Sequence, residues 1–479
     1  MPADHVIVFG DSLSDIGRKW KQPMGRVAGN LPSNGLRMLA VSATGRFSDS
    51  KNWTDYMFEA AAGQGLIAST REETILNSGE YHRLSSRWIE PPGGSRFRYA
   101  NYAVGGAVGW KEESFGKWLG LTRFSDQVDE FWEDFRKLPD FNDSFRPGHE
   151  DLGKFLFIVM FGANDIYTDE KEKNVSGTIG NAIIKQCEKV FNIVKRVDPA
   201  PNFVVAGVGK PEQSAFYASQ LANKRMVAEA CRHHLQQSNA RYLLDQSLQN
   251  RLSRAEAEDR CSSAEKEERE FREKCLKLGQ QADSLNGCLS QACHQKKQWH
   301  FFPMREALLL LQGDAPSLNI DAQKAQGFQH FHLTSHKVGN IHFANPNDPR
   351  LKLATGQHAL FTADQKHPTS IGYKYLWKRM ELLLRAAGLT FGILAGPPAG
   401  IAVPRKRIWQ KDSEVRTCQF CHKTFGVFTR KHHCRQCGGI FCDKCSKHTA
   451  TLDDPLTETG SPGKRAEVRI CIWCHAGNS

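Results

Sequence analysis

The sequence predicts an α/β layer fold with buried parallel strands, interrupted by a charged helical insertion and followed by a small cysteine-rich domain. Three observations carry this reading. Short apolar, β-branched runs such as Val6–Phe9, Phe155–Phe161 and Phe203–Val208 alternate with longer amphipathic stretches, the pattern of strands covered on both faces. From about 215 to 300 apolar residues thin out, and charge runs such as Arg254–Arg260 and Glu265–Lys274 replace them. Finally, eight of the fourteen cysteines fall between Cys418 and Cys474 as four C-x-x-C pairs, which reads as metal ligation in a reducing compartment rather than a disulfide framework. At 479 residues, 40% hydrophobic and 24% charged, the chain can fill two or three domain cores, and disorder throughout is excluded.

The elements follow in order. The first strand begins almost at once, with no basic or apolar leader before Val6, so no signal peptide is expected and the protein is placed in the cytosol. Residues 1–213 and 301–387 read as one α/β domain that closes on a last helix near Gly372–Ala387. Residues 214–300 read as a solvated helical arm or hairpin, with binding of a protein partner as its sharper use. In 388–404, Gly388, Gly392, Gly396 and Gly400 keep the four-residue spacing of a membrane helix-packing motif. Pro397, Pro398 and Pro404 would break a spanning helix, which leaves a flexible linker before the tail at 405–479.

The first strand runs into Gly10-Asp11-Ser12-Leu13-Ser14-Asp15. A serine where a strand turns toward a helix is exposed beside backbone N–H donors. Three more blocks supply partners. Asn101 to Ala107 holds Gly105 and Gly106 in a loop that can approach a reacting oxygen. Gly162-Ala163-Asn164-Asp165 places a side-chain amide after an apolar run. Asp364-Gln365-Lys366-His367 offers an acid and a base three residues apart.

These four blocks, in this order, resemble the SGNH or GDSL family of lipases and esterases. Gly45-Arg46-Phe47-Ser48 with Trp53 further resembles its branch of thermolabile haemolysins and glycerophospholipid:cholesterol acyltransferases. The resemblance implies a three-layer α/β/α fold. It assigns Ser12 as nucleophile, His367 as base and Asp364 as the group orienting His367, with Ser12, Gly106 and Asn164 forming the oxyanion hole. Such residues suit acyl transfer, because a serine hydroxyl attacks only when an imidazole accepts its proton. Phospholipase A or lysophospholipase action on phospholipids, transfer to a lipid alcohol, and cleavage of carbohydrate or other esters are the activities it leaves open.

The tail reads Cys418-x2-Cys421-x12-Cys434-x2-Cys437-x4-Cys442-x2-Cys445-x25-Cys471-x2-Cys474, eight thiolates for two structural zinc ions. Trp409-x-x-Asp412, the basic run Arg430-Lys431-His432-His433-Cys434-Arg435 and Arg469-Ile470-Cys471 together resemble a FYVE domain. The resemblance implies cross-braced zinc sites, one on Cys418, Cys421, Cys442 and Cys445, the other on Cys434, Cys437, Cys471 and Cys474. It also implies recognition of phosphatidylinositol 3-phosphate on endosomal or phagosomal membranes, with Val427 and Phe428 entering the bilayer. The formal charge of +12 fits this: residues 401–479 hold fourteen Lys/Arg against seven Asp/Glu, beside the basic box, so no nucleic-acid partner is expected. A haemolysin-like lipase joined to a eukaryotic-style lipid reader fits an effector of an intracellular bacterium, and a protist enzyme nearly as well. The rival from another class is a phosphoinositide-binding scaffold whose lipase-like domain is silent.

Overall fold

The computed structural model describes residues 2–22, 45–48, 51–66, 80–110, 122–139, 153–168, 176–244, 248–308, 320–321, 358–359, 367–395, 409–415, 418, 425–426, 429–453, 455–457, 463–471 and 474. Its body is mixed α/β. Five strands, β1 (His5–Gly10), β2 (Arg98–Asn101), β3 (Phe155–Met160), β4 (Asn202–Ala206) and β5 (Trp299–Phe302), form an all-parallel sheet in the order β2-β1-β3-β4-β5. Alternation along each strand sorts its side chains onto two faces. Ile7, Phe9, Phe157, Val205 and Phe301 enter one core, while Val8, Ile158, Met160, Val204 and Phe302 enter the other. Burial on both faces explains why the strands read as unbroken apolar runs.

Each core is closed by helices with an apolar stripe. On the second face lie α1 (Trp53–Ala62) and a C-terminal helix, Ser370–Ala386; on the first lie α2 (Phe124–Phe135) and α4 (Asn181–Val194). Between the last two, Ala163–Thr168 forms the short helix α3 directly after β3. Asn52 starts α1 by accepting from the backbone N–H groups of Thr54 and Asp55, while the Asp55 carboxylate accepts from the Asn52 N–H. Gly63, at φ 70°, ends it.

Between β4 and β5 the chain forms α5 (Ala215–Leu244) and α6 (Leu248–Gln295), which pack against each other as a hairpin; the C-terminal helix is therefore α7. The expected solvated arm is only partly right. Leu278, Ala282, Leu285, Leu289 and Cys293 of α6 are buried in the first core, at helical spacing on one face. Asn286 also clamps the chain leaving β4, accepting from Val208 N–H at 2.7 Å and donating to Val208 O at 2.9 Å. The last third of the segment is thus part of the body, and the sheet resumes at Trp299 rather than at 301. The expected linker also begins later than 388. Leu389, Phe391 and Leu394 are buried in the second core, and Thr390 O accepts from Ala3 N–H, so 388–395 belong to the body. Three apolar side chains on one compact turn outweigh the glycines around them. Residues 396–408 lie outside the described set. Among the described residues no helix is long and apolar enough to cross a membrane.

Near the C-terminus, β6 (His432–His433) pairs antiparallel with β7 (Ile440–Phe441), and β8 (His448–Leu452) with β9 (Ala466–Ile470). Their common core is mostly sulfur: six cysteines surround Phe441 and Ile470.

Candidate functional site

The sheet changes direction at β1. The chain goes from β1 to β2 on one side and then to β3 on the other, so the loops after β1 and β3 part at their C-terminal ends and leave a crevice. Ser12 follows β1 there, and Asn164 follows β3. His367 arrives from the turn before α7, and its Nε2 lies 2.7 Å from Ser12 Oγ, within reach for proton transfer. The Phe47 ring lies 5.1 Å from the His367 ring, centroid to centroid, and Tyr373 donates to Phe47 O at 3.2 Å. Arg46 and Asp55, both fully buried, form an ion pair at 2.7 Å that fixes the Gly45–Ser48 block behind this ring. Phe47 was quoted above only as part of a motif; its role against the imidazole is visible only in three dimensions.

The donor loop is held from two sides. Gly106 has φ 79°, a left-handed conformation that glycine adopts without strain. Asp15 accepts from Gly105 N–H at 2.7 Å and also from Gly17, Arg18 and Lys19, so it joins the serine turn to the glycine loop. Burial pushes its carboxyl up from the ordinary value. Asp165 accepts from Gly109 and Trp110 N–H, both at 2.8 Å. Asn164 donates from Nδ2 to Ala107 O at 2.9 Å, which orients the amide toward the loop that carries Gly106. Asp364, the expected orienting acid, lies outside the described residues. Asp11 is fully buried beside the pair; burial raises it to about 7, against the opposing pull of the Leu13 N–H and of His367.

Ser12, Asn164 and His367 line one cavity of about 190 Å³, otherwise walled mainly by apolar side chains that include Met160, Phe161, Tyr167, Val208, Tyr217 and Met304. A nucleophile with an imidazole partner, an amide donor and an apolar chamber can support acyl transfer to serine.

The second site lies in the C-terminal region. A cavity of about 810 Å³ is lined by Trp409, Asp412, Lys431, His432, His433, Arg435 and Arg469, all singled out in the sequence, together with Lys411 and Val468, which were not. Trp409 stacks on His433 at 4.0 Å and 7°, and the Arg435 guanidinium lies 4.8 Å from the Trp409 ring centre. His433 Nε2 approaches Gln410 O at 2.7 Å; Arg469 pairs with Asp443 at 2.9 Å. Six side chains that carry or can carry positive charge thus surround one polar pocket, suited to a phosphate. Arg430 is exposed and is not among the lining residues. Val427 and Phe428 lie outside the described residues.

Two cysteine groups frame this pocket. Cys434, Cys437, Cys471 and Cys474 form one, and Cys418, Cys442 and Cys445 the other, with the sulfurs of each group within 4.8 Å of one another. Cys421 lies outside the described residues. The pairs Cys434–Cys474 and Cys437–Cys471 are 3.4 and 3.9 Å apart. Tetrahedral zinc with Zn–S of ~2.3 Å sets sulfurs roughly 3.8 Å apart, so the donor set fits zinc in both chemistry and size.

Residues 408–478 match the FYVE zinc finger family. The chain is 43% identical over 68 residues to early endosome antigen 1 of Homo sapiens, covering 14% of this chain and 4% of that protein. It is 42% identical over 69 residues to RUN and FYVE domain-containing protein 2 of Homo sapiens, covering 14% and 10%. The match to the FYVE zinc finger domain protein UPA1 of Mycosarcoma maydis is 43% over 75 residues, 14% of this chain and 6% of that protein. The chain therefore spans a tenth or less of these relatives' length. Among solved structures, the LM5-1 FYVE domain from Leishmania major is 28% identical, covering 18% of this chain and 95% of that one, with a TM-score of 0.12. The C-terminal region is thus a FYVE-type zinc-binding domain with two structural zinc ions, one for each cysteine group.

Proposed function

We propose that the protein is a serine acyl hydrolase acting on phospholipids, brought to phosphatidylinositol 3-phosphate membranes of the endosomal or phagosomal type by its FYVE domain. The observation that carries the hydrolytic half is the 2.7 Å approach of His367 Nε2 to Ser12 Oγ at the open end of a parallel sheet, inside an apolar cavity. His367 takes the Ser12 proton as Oγ attacks the acyl carbon. The oxyanion is met by the backbone N–H groups of Ser12 and Gly106 and by the Asn164 side chain, each contributing roughly 3 kcal/mol where such donors have been removed elsewhere. His367 then returns its proton to the leaving alcohol. Water completes hydrolysis; a lipid alcohol in its place would give acyl transfer.

The addressing half rests on the FYVE match and on the cationic pocket between Trp409 and Arg469. That match alone also favours a second reading, a phosphoinositide-binding scaffold in which the Ser12 site is silent. Incubating the full chain with vesicles that contain phosphatidylinositol 3-phosphate, followed by mass spectrometry of the lipids, separates the two. Fatty acid or lysolipid release that disappears in Ser12→Ala supports the hydrolase; binding without release supports the scaffold. The effector origin is part of the same proposal, since it would place the enzyme at the cytosolic face of a host vesicle.

A further inference from the structure

Behind the cationic pocket of the FYVE domain stands an acidic group that none of the three sequence motifs contains. Asp443 follows β7 on a short turn, Asp443–Cys445. Its Oδ1 accepts from Arg469 Nη1 of β9 at 2.9 Å and lies 3.8 Å from His432 Nε2 of β6. One carboxylate oxygen thus gathers two of the side chains that carry or can carry the pocket's positive charge, and they come from separate ladders. Arg469 and His432 line the cavity whereas Asp443 does not, so the carboxylate lies behind the guanidinium and out of a ligand's path.

The turn that carries Asp443 is itself fixed. Cys442 and Cys445 on either side belong to one cysteine group. Cys445 N–H donates to Cys442 O at 3.1 Å, Ser446 N–H to Asp443 O at 3.2 Å, and the fully buried Ser446 Oγ to Cys442 O at 3.0 Å. Arg469 Nη1 also reaches Ser446 Oγ at 3.4 Å. Both Arg469 contacts use Nη1, which leaves the Nε and Nη2 edge, the edge that can meet two phosphate oxygens side by side. A long side chain held this way before its ligand arrives loses less rotamer freedom on binding.

We propose that Asp443 is a positioning residue for phosphate recognition, holding Arg469, with His432 beside it, in the orientation that receives the headgroup phosphate. The inference rests on the phosphoinositide reading of the FYVE domain and is independent of the chemistry at Ser12. Two electrostatic effects oppose each other here. Loss of the Asp443 charge makes this face more positive, which favours any anionic membrane. It also releases Arg469, which disfavours the one ligand that needs its geometry. Arg469 is 38% exposed and Asp443 70%, so the effect is that of an exposed pair and modest in size.

The test uses the full-length protein carrying Ser12→Ala, so that no lipid is consumed. Affinity is measured for phosphatidylcholine vesicles containing phosphatidylserine, with and without phosphatidylinositol 3-phosphate, and the readout is the ratio of the two dissociation constants. Asp443→Asn should lower the preference for the phosphoinositide by about threefold to fivefold, the weight of one exposed ion pair. Binding to phosphatidylserine alone should hold or tighten, which a misfolded domain cannot produce. In an Arg469→Ala background the same substitution should leave the preference nearly unchanged, because the two residues act as one. A content of two zinc ions per chain marks a folded domain, and Asp443→Ser repeats the comparison should the asparagine variant fall short of it. A preference unchanged or raised in Asp443→Asn, or one that falls equally in the Arg469→Ala background, overturns the role. If the parent protein shows no preference, the phosphoinositide reading fails, and an NMR titration with inorganic phosphate decides. Weaker phosphate binding in Asp443→Asn then keeps the positioning role, and equal or absent binding overturns it.

Discussion

The α/β body and the FYVE domain solve the same problem, holding polar groups at a working distance, by opposite means. In the body two apolar layers press on the sheet from either side, and Ser12 and His367 are fixed by packing and backbone hydrogen bonds at its C-terminal end. Among the described residues of the FYVE domain the core cluster is mostly sulfur: six cysteines enclose Phe441 and Ile470, and the cationic pocket lies beside them. The comparison teaches that the two sites depend on different forces, so each can be broken while the other is watched.

The largest break is removal of zinc. Structural zinc contributes on the order of 10–16 kcal/mol per site to folding in small zinc domains. Chelation should therefore unfold the FYVE domain and abolish vesicle binding in a sedimentation assay, while cleavage of a soluble ester continues. The next is Ser12→Ala, expected to lower kcat/KM by on the order of 10⁴-fold or more and to leave vesicle binding as it was.

A pH effect belongs to the body. Burial raises Asp11 from 3.8 to about 7, so between those values the folded state holds a proton that the unfolded chain has released. The stability from this group is fully present below about pH 4 and is lost as pH rises through 7, by up to roughly 4 kcal/mol. Asp11→Asn should flatten that slope in urea titrations across pH 4 to 8; an unchanged slope would mean that burial does not act on this carboxyl. Within α6, Leu285→Ala should cost roughly 3 kcal/mol by cavity formation, whereas Leu276→Ala, 62% exposed, should cost under about 0.5 kcal/mol in the same denaturation assay. The smallest effect is on the membrane side. Arg469→Ala should weaken binding to phosphatidylinositol 3-phosphate vesicles by about tenfold, the loss of one charge-assisted contact, with hydrolysis of a soluble ester untouched.

Much of this was legible in the sequence where a residue's role follows from its neighbours along the chain. Five C-terminal pocket residues, Lys431, His432, His433, Arg435 and Arg469, declare themselves by charge and spacing to the cysteines. The strands β1, β3 and β4 do so because burial on both faces leaves them apolar apart from His5 and Asn202 at the strand starts. The α6 packing face was hidden for the opposite reason. Its apolar positions at 278, 282, 285 and 289 are diluted by the polar residues that dominate the rest of the helix, so average composition misleads. Lys411 and Val468 lie next to Asp412 and Arg469, so only their neighbours in the motifs mark them, whereas Phe47 reaches His367 from a distant segment and its motif does not reveal that contact. In 388–395 the glycines masked three apolar anchors that the body buries.

The proposed function joins acyl hydrolysis at Ser12 to membrane recruitment through the FYVE domain in one chain. Its most direct test is the rate of fatty-acid release by the full-length protein from phospholipid vesicles prepared with and without phosphatidylinositol 3-phosphate. Release should be faster when the phosphoinositide is present, lose that gain in Arg469→Ala and vanish in Ser12→Ala. Vesicle binding with no release, or release that persists in Ser12→Ala, would contradict it.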